Sequence, residues 1–174
     1  MFGIPHLHPL FVHYPVAFLI LAAGTASLWL ALGTPLWRQM TAVLLLAGTL
    51  GAFAAYYTGD DMADAFAKRP AVKALVDRHE DAALWTLIAA GVAGGAFIAA
   101  SIQQASVDKK GLPGPDRKAL VRTLLLLLAL AAAGLVAYTG HLGGTMTWST
   151  AYDKAPAQVQ APTSPAPQNV PAKP

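Results

Sequence analysis

Runs of apolar residues long enough to cross a bilayer recur four times along the chain, at about residues 10–32, 41–58, 82–102 and 120–141. A bilayer core takes about 20 mostly apolar helical residues, within a range of roughly 17–25, so each run predicts one transmembrane helix. Small residues punctuate the runs, at Gly48 and Gly51, Gly91 and Gly95, and Gly134, and small residues let helices approach closely in lipid. The pattern predicts an all-α fold, an integral membrane four-helix bundle over residues 1–150, followed by a separate tail over 151–174.

The polar segments refine this outline. The stretch "GDDMADAFAKRPAVKALVDRHED" between the second and third runs predicts one or two short interfacial helices broken near Pro70, because proline interrupts a helix interior. The stretch "QQASVDKKGLPGPDRKALVR" reads as a basic turn around Pro113, Gly114 and Pro115. From Ala155 the Pro- and Ala-rich tail is expected to be extended, polyproline-like or disordered. No Lys or Arg precedes the first run, and it is longer than a signal-peptide apolar region, so it is read as a retained helix.

Composition agrees with a lipid-embedded chain. Of 174 residues, 55% are hydrophobic and only 12% charged, against about 25% charged in soluble domains, and the mean hydropathy is +0.47. The net charge is +3, yet the basic residues fall in short inter-helix segments and form no long patch, which argues against nucleic acid as a partner. There is no cysteine, so disulfides, thiolate metal sites, iron–sulfur clusters and covalent c-type haem attachment are excluded.

Basic residues also bear on orientation. Arg38, Lys109, Lys110, Arg117, Lys118 and Arg122 share one face with few acids, whereas Lys68, Arg69, Lys73 and Arg78 lie in a longer acidic segment on the other. The positive-inside rule then puts both termini outside, which is periplasmic for a bacterial inner membrane. Aromatic residues mark both boundaries, Trp29 and Trp37 on the basic side and Tyr14, Tyr56, Tyr57, Trp85, Tyr138 and Trp148 on the other.

With four spans, the start of the first, the end of the second, the start of the third and the end of the fourth share one face. His6, His8 and His13 fall at the first of these points, Asp60, Asp61 and Asp64 at the second, His79 with Glu80 and Asp81 at the third, and His141 at the fourth. All five histidines therefore lie on one side. His6 is expected to be an exposed terminal residue, and His8 to precede Pro9 at the first helical turn. His13 and His141 lie at or inside the apolar limits, where ionisable groups are costly and usually face the bundle interior.

Imidazole suits iron, copper and zinc, and axial histidines on facing helices commonly hold haem in a bundle core. His8 and His13 are five residues apart, roughly 140° around an ideal helix, so a regular helix cannot aim both at one point. Pro15 removes a hydrogen bond to the Phe11 carbonyl, and a distorted lead-in would turn His13 inward and leave His8 nearer the surface. Asp60 and Asp64, spaced i, i+4, offer with His13, His79, Glu80 and His141 a carboxylate–histidine site for a non-haem metal, a metal-handling or transport alternative. No phosphate loop, nucleophile elbow or HExxH pattern is present.

The segments "HPLFVHYP", "RHE" and "TGHLGGTMTWS" at the heads of spans one and three and the end of span four resemble the bacterial DUF2231 family of predicted four-helix membrane proteins, over roughly residues 6–150. The first fits the pattern H-P-x-x-V-H-[FY]-P, and the resemblance carries His8, His13, His79 and His141 over as motif positions. Family members are found fused to or encoded beside c-type cytochrome domains, which implies periplasmic electron transfer and b-type haem. The expected function is thus a membrane electron-transfer subunit. Its haem would be ligated by two or more of His13, His79, His141 and His8, with Gly143 and Gly144 admitting the macrocycle and Arg78 pairing a propionate. Its partners would be lipids and a c-type cytochrome or a larger respiratory or photosynthetic complex. The competing expectation is a cofactor-free structural subunit of such a complex.

Overall fold

Lipid offers no hydrogen-bond partners, so each apolar run must satisfy its backbone internally, and a helix does so within one segment. The computed structural model describes residues 8–67, 70–112 and 114–153, those of 60–67, 70–71 and 149–153 by their backbone alone. Helix α1 spans His8–Phe11, α2 His13–Leu32, α3 Pro35–Ala67, α4 Pro70–Asp108 and α5 Ala119–Asp153, with a 3-10 turn at Pro115–Arg117. The described residues contain no strand. The tail expected to be extended lies, from residue 154 on, outside the described residues.

Prolines and glycines set the helix limits. Pro35 and Pro70 open α3 and α4, a position where the missing N–H costs nothing. Gly33 closes α2 in the left-handed conformation, φ 64°, and its N–H bonds the Trp29 carbonyl. At the α1–α2 junction Val12 keeps helical angles, φ −62° and ψ −25°, and its N–H bonds the His8 carbonyl at 3.1 Å. The lead-in before Pro15 is therefore helical, and the distortion expected there from Pro15 is absent.

Among the described residues four helices are long and apolar enough to cross a membrane, with the candidate spans at His8–Leu32, Pro35–Gly59, Val72–Asp108 and Ala119–Trp148. The segment between spans two and three forms no separate interfacial helix in its described part. Instead α3 continues to Ala67 and α4 starts at Pro70. At 1.5 Å per residue the 39 residues of α4 extend about 58 Å, well beyond a hydrocarbon core of about 30 Å.

The helices pack in a closed ring, α2 on α3, α3 on α4, α4 on α5 and α5 back on α2, an up-down-up-down bundle of the kind short connections favour. Its centre is Ala-rich, with Ala22, Ala26, Ala90, Ala93, Ala129 and Ala132 around Leu19, Trp29, Leu45 and Phe97. Small side chains bring the backbones together. A Cβ at Gly48 would stand 2.6 Å from Leu19, and one at Gly51 2.8 Å from Tyr14, so both glycines are needed for the α2–α3 contact. Large apolar residues such as Val43, Leu50, Ile102 and Leu120 point outward, as a lipid-facing surface requires.

The end of the bundle away from the histidines is closed by a buried polar network. The α4–α5 connection, expected to be a solvated basic turn, folds inward instead and buries Asp116. Asp116 pairs with Arg38, accepts a hydrogen bond from Trp29 Nε1 at 2.9 Å, and donates its backbone N–H to Gln104 at 2.9 Å. Arg38 Nε donates to Ser101 at 3.2 Å. Four segments of the chain, α2, α3, α4 and the 3-10 turn, thus meet on one carboxylate and its guanidinium.

Candidate functional site

At the other end all four spanning helices contribute to a cavity of about 450 Å³. That volume lies within the roughly 300–1,000 Å³ of ordinary ligand sites, which are mostly apolar with a few convergent polar groups. Here the apolar wall includes Pro15, Val16, Ala52, Val76, Ala83 and Val136, and the polar groups are His8, Tyr56, His79, Glu80, Thr86, Thr139 and Thr147.

The two histidines are seated alike. His8 Nδ1 bonds the Ala55 carbonyl at 2.8 Å, and His79 Nδ1 bonds the Thr139 carbonyl at 3.1 Å. A carbonyl only accepts, so each Nδ1 carries the proton and each Nε2 of the neutral ring keeps its lone pair. A histidine that ligates a metal typically donates its other ring N–H in this way. Each ring also lies against a glycine four residues beyond its carbonyl partner. A Cβ at Gly59 would stand 3.3 Å from His8 Cε1, and one at Gly143 would stand 3.2 Å from His79 Cε1.

Each half of the bundle therefore provides one seat of the same design: His8 of α1 is held by a carbonyl and a glycine on α3, and His79, in the third turn of α4, by a carbonyl and a glycine on α5. Beneath His79, the buried Thr86 hydroxyl meets the Thr139 hydroxyl at 2.9 Å and braces α4 against α5.

Of the four histidines expected to form a ligand set, the structure brings His8 and His79 together in the cavity. It does not bring in His13 or His141. His13 is exposed in a shallow outer groove with Ile20, Leu21 and Gly140, and its Nδ1 bonds the Pro9 carbonyl one turn back at 2.7 Å. The expected order, His13 inward and His8 nearer the surface, is reversed, because a helical lead-in leaves the 140° separation in force and the inward place goes to His8. His141 is exposed on α5, about 200° around the helix from Thr139. Arg78 is exposed and does not line the cavity, whereas Gly143 and Gly144 do. His6 and the side chains of Asp60, Asp61 and Asp64 lie outside the described residues.

Two imidazoles alone leave a free metal ion short of donors. Among the described residues no three of His, Asp and Glu come together as a metal-holding group. Gly59, Ala55, Thr86 and Thr139 were not singled out from sequence. A signal was available for some of them: the triplet Tyr-Thr-Gly occurs at 57–59 and again at 138–140, once near each seat.

Fold and site together define a four-helix membrane protein with a two-histidine cavity at one end of its bundle. The family model described as "Predicted membrane protein (DUF2231)" matches residues 3–156, and the chain belongs to that family. No curated protein and no solved structure matches it.

Proposed function

We propose that the cavity would hold a b-type haem through His8 and His79, and that the protein is a membrane electron-transfer subunit. The observation that carries this reading is the matched pair of histidine seats, each with Nδ1 committed to a backbone carbonyl and Nε2 left as the donor atom. When bound, haem supplies a one-electron couple. The chain's own residues do the rest: the Ala55 and Thr139 carbonyls fix the tautomers and raise imidazole basicity, Gly59 and Gly143 leave room for the rings, and the apolar wall limits water and so tunes the potential.

The charge pattern supports a bacterial inner-membrane location with the histidine end, and with it both termini, on the periplasmic side. A c-type cytochrome or another subunit of a membrane redox complex is the partner this location favours.

The test is purification in detergent after haem-replete expression. The account expects a coloured protein with one haem per chain by pyridine haemochrome assay and a six-coordinate low-spin spectrum. A colourless protein that also fails to take up added haemin would overturn it.

A further inference from the structure

The cavity reaches only part of the way into the bundle. Its deepest lining residues are Val16, Ala52, Thr86 and Val136, one from each spanning helix. Below them the interior is filled by Leu19, Leu45, Ala93 and Phe97, all fully buried, with the Trp29 ring packed on Phe97 at a centroid separation of 5.5 Å. The Arg38–Asp116 pair then closes the far end. From Thr86 to Gln104, the last buried residue of α4, 18 residues at 1.5 Å each span about 27 Å, comparable with a hydrocarbon core of about 30 Å. Every histidine among the described residues lies at the cavity end. Electron tunnelling falls exponentially with distance, so this packed length is an insulator.

We infer that electrons enter and leave the site through the histidine end alone, so that the protein relays them between two carriers on one side of the membrane and does not conduct them across it. The inference rests on the haem reading above. Each turnover oxidises a one-electron donor and reduces a one-electron acceptor, with no bond made or broken and no proton required for balance. The carriers are water-soluble or surface-bound, because the cavity end is where α4 begins outside the apolar run and presents exposed charged residues, Lys73, Asp77, Arg78, Glu80 and Asp81.

The experiment uses the haem-loaded full chain in proteoliposomes of mixed orientation, with ferricyanide trapped inside and a membrane-impermeant reductant added outside. The haem band is recorded before reductant is added. Absence of that band overturns the haem reading, and the inference with it, before any transfer is measured. With the band present, the inference expects reduction of only the outward-facing fraction, about half, and loss of internal ferricyanide at the leak rate of protein-free vesicles. Complete reduction without detergent, with ferricyanide consumed several-fold faster than the leak, would overturn the one-sided route and leave the haem reading standing.

Discussion

Replacing Asp116 by alanine removes one carboxylate and strands three groups at once. Arg38, only 4% exposed, keeps a single hydrogen bond, to Ser101. Trp29 Nε1 loses its acceptor, and the α4–α5 turn loses its side-chain anchor and keeps only the backbone N–H bond to Gln104. Breaking a buried pair by removing one partner costs about 3–5 kcal/mol, most of it the uncompensated charge left behind. The orphaned indole N–H adds roughly 1–3 kcal/mol if no water reaches it. Asp116→Ala should therefore destabilise the bundle by about 4–8 kcal/mol. The double variant Arg38→Met, Asp116→Ala removes both charges and should recover most of that loss, to within about 1–2 kcal/mol of wild type, since apolar replacements of buried pairs are often near neutral. Equilibrium unfolding in mixed micelles, followed by far-UV circular dichroism, measures both. If the single variant were as stable as wild type, or the double variant no better than the single, the network would not be holding that end closed.

Other substitutions separate packing from ligand binding. Gly143→Ala raises helix propensity by about 1 kcal/mol, yet its Cβ would stand 3.2 Å from the His79 ring. The variant should be as stable as wild type or more so and bind haemin less tightly. Equal haemin affinity in a fluorescence-quenching titration would count against the glycine seat. Gly59→Val should abolish the His8 seat while leaving the helical circular dichroism signal intact; undiminished haemin binding would contradict this. Gly33→Ala should cost more stability than Gly111→Ala. Both glycines have positive φ, but a Cβ at Gly33 would also meet Arg122 at 2.5 Å, whereas at Gly111 nothing lies within 4 Å. Each strained site costs about 1 kcal/mol from conformation alone, and unfolding curves that rank them the other way would refute the packing argument.

The spans and the one-sided grouping of histidines were legible in the sequence because both follow from hydropathy and parity, which need no knowledge of contacts. Which histidines meet was not legible. That depends on how α2 is rotated in the ring and on the register of α3 and α5, which places the Ala55 and Thr139 carbonyls beside the rings. The helical arithmetic for His8 and His13 was correct, but Pro15 invited a distorted lead-in that the backbone does not adopt. Proline in the first turns of a helix removes a hydrogen bond without necessarily ending the helix. Asp116 was read as part of a basic turn because sequence does not reveal that Arg38, 78 positions earlier, waits beneath it. The extension of α3 and α4 beyond the apolar runs was missed for a related reason. Hydropathy marks where lipid ends, and a helix whose neighbours also extend continues past that point.

The most direct test of the two-histidine site compares four single variants, His8→Ala, His79→Ala, His13→Ala and His141→Ala, by dithionite-reduced minus oxidised spectra at equal protein concentration after haem-replete expression. The account predicts that the b-type bands disappear or turn high-spin in the first two and persist at wild-type intensity in the last two. Loss of the bands in His13→Ala or His141→Ala, with His8→Ala and His79→Ala unaffected, would contradict it.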